Sequence, residues 1–198
     1  MKVIGFVLFA IGTLAIAALG CALLLPIYSH VESSLLLQEG KAASANGEND
    51  SAMAELTQAI ALNPKDPTAY EVRADVDVAK GNYAQIIADY KQAMLFDPKN
   101  AVVVNNYAWT LATCPDASLR DGKKAVEFAT RACELSNWQY AASIDTLAAA
   151  YAEAGDFDSA VKWENKYLTS LSLSPSDAAD GQARLALFQA HQPYHESK

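Results

Sequence analysis

Small residues recur along this chain at one fixed spacing. Gly40, Ala74 and Ala108 are 34 residues apart, and Ala148 follows 40 residues after the last of them. Turn glycines and closing prolines keep the same spacing. A period of this length is typical of stacked helix hairpins. The pattern therefore predicts an array of four units, at 33–66, 67–100, 101–140 and 141–174.

The second unit carries the fullest version of the pattern. Its sequence resembles the tetratricopeptide repeat (TPR). This resemblance implies an all-α fold, a right-handed α-solenoid of about four TPR helix hairpins. The positions that carry the resemblance are Tyr70, Arg73, Ala74, Gly81, Tyr83, Ala93 and Pro98 in the second unit, Ala108, Ala125 and Ala129 in the third, and Ala148, Gly155, Phe157 and Ala160 in the fourth.

Two glycines are expected at the turns within hairpins. Gly81 and Gly155 can adopt the left-handed backbone conformation that ends a helix. Tyr83 and Phe157 each follow one of these glycines by two residues. We expect each of these aromatic residues to begin the second helix of its hairpin with a buried ring.

Other polar residues mark helix starts. Asp66 precedes Pro67, which predicts an N-cap followed by the first helical residue. Ser118 and Asp121 are candidate caps for the second helix of the longer third unit. Ser136 and Gln139 have the spacing of a capping box, which is predicted to open the first helix of the fourth unit.

The segment 175–198 is predicted to be a C-terminal capping helix followed by a tail. Gly181, Leu185 and Phe188 fall on one stripe at helical spacing. We expect this stripe to cover the exposed apolar face of the last repeat, because terminal repeats need a polar-backed cap for solubility.

The N-terminal segment 3–28 contains no charged residue. A bilayer core needs about 20 apolar residues, so residues 1–30 are predicted to hold one transmembrane helix. Lys2 precedes the segment, and the positive-inside rule then places the repeats (31–174) outside the cytoplasm, in the periplasm. Two alternatives stay open, a cleaved signal peptide that leaves a secreted protein and lipid attachment at Cys21.

Composition excludes several classes of partner and chemistry. The net charge of −8 argues against nucleic acid, whose backbone requires a basic surface. His191 and His195 have a helical metal-ligand spacing, but Pro193 between them interrupts a helix. Cys114 and Cys133 are expected at opposite ends of one hairpin, too far apart for a disulfide. We therefore expect no enzyme activity, catalytic residue, metal, cofactor or small-molecule substrate.

The TPR resemblance also implies a concave groove, lined by the first helix of each repeat. No lysine or arginine is expected to face its carboxylates, so the groove is predicted to be acidic and to bind a protein or peptide, with a preference for basic segments. Trp109 is either an aromatic anchor in this groove or a packing residue between repeats. The lining positions are Glu71, Asp75, Asn105, Asn106, Trp109, Asp145, Thr146 and Glu153.

Two functions follow from this sequence. The first is a membrane-tethered scaffold or adaptor that holds a segment of a partner protein in the groove. The second is an assembly subunit that is permanently packed into an envelope complex, of the secretion or cytochrome-maturation type.

Overall fold

The structure is a computed structural model, and it describes residues 27–170 and 173–197. Within these ranges every regular element is helical, so the predicted all-α class is confirmed. The α-helices are α1 (27–45), α2 (Asn49–Leu62), α3 (Pro67–Val78), α4 (Tyr83–Phe96), α5 (Ala101–Thr113), α6 (Gly122–Leu135), α7 (Ala141–Glu153), α8 (Phe157–Leu168) and α9 (Pro175–Gln189), with a short 3-10 helix at Ala117–Leu119.

The chain divides into two compact units between Lys65 and Asp66. In the first unit, α1 and α2 form a hairpin whose turn contains Gly47 in the left-handed conformation (φ 78°). Gly40 of α1 lies against Leu56 of α2, where an added Cβ would be 2.8 Å from the Leu56 Cγ. The glycine therefore permits the close contact between these two helices.

The second unit is a helical solenoid built from three hairpins and a final helix. α3 packs on α4, α5 on α6 and α7 on α8, while contacts of α4 with α5 and of α6 with α7 join successive hairpins. Small side chains let packed helices approach to about 8–10 Å. The prediction that small residues mark these contacts is confirmed by alanines without exposed surface, which are Ala74, Ala108, Ala125, Ala129, Ala148 and Ala160.

Several helix ends follow the sequence prediction. The Asp66 carboxylate accepts a hydrogen bond from the Thr68 backbone N–H at 2.9 Å, and Pro67 is the first helical residue of α3. Gly81 and Gly155 have φ values of 70° and 83°. These left-handed residues end α3 and α7, because a glycine adopts this conformation without a Cβ clash.

The predicted capping box at Ser136 and Gln139 is wrong. Ser136 is the C-cap of α6 and does not form a capping box. Asn137 and Trp138 follow with positive φ values of 50° and 60°. These two left-handed residues turn the chain out of α6, and α7 begins only at Ala141, after Tyr140.

The third unit contains an insertion between its two helices. Residues Cys114–Arg120 hold the 3-10 helix, in which the Asp116 carboxylate accepts a hydrogen bond from the Ser118 N–H. Of the two predicted candidates, Asp121 caps α6, whereas Ser118 lies in the 3-10 helix. The insertion ends against the last turn of α7, where Gly122 lies close to the Ala154 backbone.

The C-terminal helix α9 packs on α8 and on α7. It begins with a capping box, in which the Ser174 hydroxyl accepts from the Asp177 N–H at 3.1 Å and the Asp177 carboxylate accepts from the Ser174 N–H at 3.3 Å. The predicted stripe of Gly181, Leu185 and Phe188 is buried.

The predicted transmembrane segment 3–28 lies almost wholly outside the described residues. Only Ile27 and Tyr28 of this segment are described, and both are helical and exposed. Among the described helices, none combines the length and apolar character that crossing a bilayer requires. The anchor and its two alternatives stay predictions.

Candidate functional site: the groove of the second unit

The eight residues predicted to line the groove lie on the first helices of the three hairpins of the second unit. Of these eight, Asn105 and Thr146 are almost fully buried, with 5% and 2% of their surface exposed. Their side chains therefore belong to the interior of the helix stack. Three others, Asp75, Asn106 and Trp109, line one common cavity of about 320 Å³.

The α3 side of this cavity is held by a hydrogen bond between hairpin partners. The Tyr90 hydroxyl of α4 donates to the Asp75 carboxylate at 2.7 Å. Burial raises the pKa of Asp75 and that of Tyr90, because each group has lost water around its charged form. On the same helix, Glu71 accepts a hydrogen bond from the Asn100 amide at 3.3 Å.

The expectation that no cation faces the four carboxylates is wrong for Asp145. Arg184 of α9 donates from Nε to the Asp145 Oδ1 at 2.9 Å, and its Nε lies 3.6 Å from the Glu164 Oε1. The prediction considered only the first helix of each repeat. Arg184 lies on α9, which follows the repeats in sequence, so the prediction did not include it. Burial raises the pKa of Asp145 even beside Arg184, and the buried Glu164 has a pKa of about 9, raised by burial and by Asp145.

The same expectation is wrong for Glu153 at the end of α7. Arg120 donates from Nε to the Glu153 Oε1 at 2.9 Å, and the His195 Nε2 lies 2.7 Å from the other carboxylate oxygen. Arg120 comes from the insertion in the third unit. The negative charge predicted for this part of the groove is therefore compensated by side chains of this chain.

Trp109 lies at the centre of the site. Its ring is half-buried and lines both the 320 Å³ cavity and a second cavity of about 460 Å³ that contains Asp145 and Arg184. The indole Nε1 donates a hydrogen bond to the Glu196 Oε1 at 2.7 Å. The Tyr194 ring lies 5.9 Å from the Trp109 ring, and the Arg184 guanidinium lies at the same distance from it.

The C-terminal tail contacts further residues at the helix ends. The Glu196 N–H donates to the Thr113 carbonyl at 2.9 Å, and the Tyr83 hydroxyl donates to the Glu196 Oε2 at 3.1 Å. His191 stacks on Phe157 with ring centroids 5.1 Å apart. Tyr83 and Phe157 begin α4 and α8 as predicted, but their rings are half-buried and are contacted by the tail.

Sequence reasoning missed the residues that the C-terminal segment brings to this site. Arg184 is three residues after Gly181 and four before Phe188, so it lies on the stripe that was predicted to be buried. A charged residue on such a stripe was the available signal. Nothing comparable marks Tyr194 or Glu196, because an irregular tail has no periodicity.

The described residues contain no group of three histidine, cysteine, aspartate or glutamate side chains placed to hold a metal ion. Cys114 and Cys133 are both free and buried. Burial raises the pKa of each thiol, to about 11 for Cys133. Both cysteines are therefore protonated at neutral pH and belong to the packing of the third unit.

A comparison with protein-family models finds the repeat that the sequence resembles. The family model for the tetratricopeptide repeat matches residues 33–66. A sequence comparison with curated proteins gives no match.

Among solved structures, YrrB, described as a TPR protein with an unusual peptide-binding site, is 20% identical over 79% of this chain and 75% of its own, with a TM-score of 0.63. A MamA protein is 19% identical over 72% of this chain and 79% of its own, with a TM-score of 0.61. PilF of Pseudomonas aeruginosa is 18% identical over 82% of this chain and 74% of its own, with a TM-score of 0.62. The recognition of the tetratricopeptide repeat is thus confirmed: the chain carries one at 33–66 and has the TPR-type fold, an all-α helical solenoid.

Proposed function

We propose that this chain is a protein-interaction scaffold that holds a segment of a partner protein in the groove around Trp109. The observation that carries this proposal is the position of Trp109 between two cavities of about 320 and 460 Å³, the first of which is also lined by Glu196 of the C-terminal tail. A half-buried indole between two polar clefts has the character of an interface anchor, since tryptophan is among the residues that contribute most to binding. YrrB, which shares this fold, is described as having a peptide-binding site.

The charge of the groove favours a partner segment with basic or polar residues at the α3 side. Asp75 accepts a hydrogen bond from Tyr90, and no cation pairs with it within the described part of the chain. Glu71, which accepts a hydrogen bond from Asn100, lies on the same helix. Because Asp145 and Glu153 are paired with arginines of this chain, we place the attraction for a basic segment at Asp75.

We further propose that residues 3–28 tether the scaffold to a membrane. An uncleaved anchor would keep the full-length protein in the membrane pellet after alkaline carbonate extraction, with Lys2 detectable by mass spectrometry. A mature N-terminus near Ala18 or Cys21 would instead support the cleaved or lipid-attached form. The binding proposal is tested separately, because every residue named for the groove belongs to the second unit.

The test of the binding proposal is cross-linked capture of partners by the full-length protein, compared among matched variants. Trp109→Ala is expected to weaken capture by about 2 kcal/mol or more, whereas Trp138→Ala, which truncates an exposed tryptophan, should not. The double variant Glu71→Lys, Asp75→Lys should weaken capture of the same partner. Glu127→Lys with Glu134→Lys, two exposed positions on α6, is its charge-matched control.

The dependence of partner capture on ionic strength distinguishes the scaffold from a permanently packed assembly subunit. Capture through Glu71 and Asp75 should weaken as salt shortens the Debye length from about 10 Å to about 3 Å. The alternative is the permanently packed assembly subunit. It would be supported if the chain is recovered only in a complex that does not exchange partners, and if the Trp109 and groove variants do not change that recovery.

A further inference from the structure

The C-terminal tail lies in the proposed partner site. After α9 ends, His191 has a left-handed backbone conformation (φ 58°), which redirects the chain. Residues 193–197 form no regular element, and the Glu196 N–H donates to the Thr113 carbonyl at the end of α5. The last carbonyl groups of a helix have no partner within the helix, so the tail satisfies one of those of α5.

Three consecutive side chains of the tail make different polar or aromatic contacts with the groove. Tyr194 places its ring against Trp109, at 5.9 Å between centroids. His195 contacts the Glu153 carboxylate at 2.7 Å. Glu196 accepts hydrogen bonds from Trp109 and Tyr83, at 2.7 and 3.1 Å.

These contacts amount to a recognition pattern. An aromatic ring meets the indole, a basic side chain meets a carboxylate, and a carboxylate meets two neutral donors. Hydrogen bonds to an ionised carboxylate are stronger than those between neutral groups. Burial and the Glu196 charge raise the pKa of Tyr83 to about 12, so its hydroxyl stays a donor at neutral pH.

We propose that residues 191–197 form a strap that occupies the partner groove in cis, and that partner segments carry the same order of groups, namely aromatic, basic and acidic. This inference rests on the proposed function, because it assigns the ligand chemistry and the regulation of that same groove. The strap follows α9 without a linker, so its effective concentration at the groove is on the order of millimolar. A partner segment must therefore displace the strap.

The test uses a fluorescent synthetic peptide with the sequence of residues 190–197 and the full-length chain. Tyr194→Ala with Glu196→Gln is designed to release the strap and leaves the groove side chains of α3, α5 and α7 unchanged. Gln189→Ala with Gln192→Ala, two exposed positions, is the matched control. Circular dichroism melts of the full-length chain show that each variant is folded before binding is measured.

Fluorescence anisotropy should show that the peptide binds the released-strap variant about tenfold or more tightly than the wild type or the control. A peptide with glutamine in place of the glutamate should bind this variant about tenfold more weakly, since it lacks the charge-assisted hydrogen bonds. Trp109→Ala in the released-strap chain should abolish peptide binding. Equal binding to wild type and released-strap chains, or binding to neither, would overturn the proposal.

The partner capture described above separates the two ideas. If the strap regulates the groove, the released-strap variant captures more partner than the wild type does. Equal capture by these two chains, together with loss of capture in Trp109→Ala, overturns the strap and leaves the proposed function intact. If Trp109→Ala captures as much partner as the wild type, the proposed function is wrong. The strap then does not regulate partner binding, even if the peptide binds the released-strap variant.

Discussion

Arg184 on α9 donates from Nε to the Asp145 Oδ1 on α7 at 2.9 Å, and both residues are at least nine-tenths buried. Glu164 on α8 lies on the other side of the same arginine, 3.6 Å from Nε, with no exposed surface. One buried cation thus faces two buried carboxyl groups from two helices. The capping helix α9 therefore contacts the repeats through a buried ion pair as well as through its apolar stripe.

Replacing Arg184 with methionine should strongly destabilise the second unit. The apolar stem is kept, but Asp145 would lose its cation in a buried site. Breaking a buried ion pair by removing one partner costs about 3–5 kcal/mol. Urea unfolding of the full-length chain, followed by tryptophan fluorescence, measures this change in free energy.

The matched control is Lys123→Met, which removes an exposed cation from α6. It should change the unfolding free energy by no more than about 0.5 kcal/mol. Equal midpoints for the Arg184 and Lys123 variants would show that the buried pair contributes no net stability to the docking of α9.

The stability of the second unit should depend on the protonation of Glu164. Its pKa is raised from 4.5 to about 9, first by burial and then by the Asp145 charge. The folded state therefore holds a proton that the unfolded state releases above pH 4.5. The stabilisation that the folded state gains from holding this proton is fully present below pH 4.5. It is lost progressively as the pH rises toward about 9.

Glu164→Gln keeps a neutral side chain of the same size and removes this proton linkage. Its melting temperature relative to the wild type should rise progressively between pH 4.5 and pH 9. Glu127→Gln, at an exposed position on α6, serves as the control and should show no such trend. A constant difference between Glu164→Gln and wild type across this range would contradict a neutral buried Glu164.

The parts of the fold that could be predicted from the sequence are those fixed by local or repeated patterns. The alanines at helix contacts, such as Ala74 and Ala125, are predictable because only small side chains fit there in every repeat. Asp66 and Gly81 act within one turn of their own helices. The turn between α6 and α7 was not predictable in this way, because the left-handed Trp138 follows no local propensity.

In the candidate site, only residues on the first helix of each hairpin could be predicted from the sequence. Asp75, Asn106 and Trp109 share a cavity, but Thr146 is buried because α7 packs against α5, α6, α8 and α9. A helix with so many neighbours has little face left for a groove. The cations that compensate the carboxylates come from an insertion and from the capping helix, outside the repeat register.

The alanines at the hairpin contacts should tolerate no added volume. Ala125→Leu and Ala160→Leu place three extra carbons at positions with no exposed surface. Such overpacking costs about 1–3 kcal/mol. Ala183→Leu, at an exposed position on α9, makes the same chemical change without a neighbour to displace. Urea midpoints that are equal for all three variants would mean that these alanines are not steric contacts.

Gly122→Ala should destabilise the second unit by displacing the end of α7. An added Cβ would lie 2.5 Å from the Ala154 backbone N and 2.6 Å from the Glu153 carbonyl carbon. Because the clashing atoms are backbone, no side-chain rotation can relieve them. The helix propensity of alanine favours the substitution, but by at most about 1 kcal/mol, whereas overpacking costs about 1–3 kcal/mol.

Lys123→Ala is the control for Gly122→Ala, because it also places alanine in the first turn of α6 but at an exposed position. It should leave the urea midpoint nearly unchanged. Moving the α7 end also moves Glu153, which contacts His195, so Gly122→Ala should increase hydrogen exchange at the Glu196 amide relative to this control. Unchanged midpoint and exchange in Gly122→Ala would show that the α6 start and the α7 end can separate without cost.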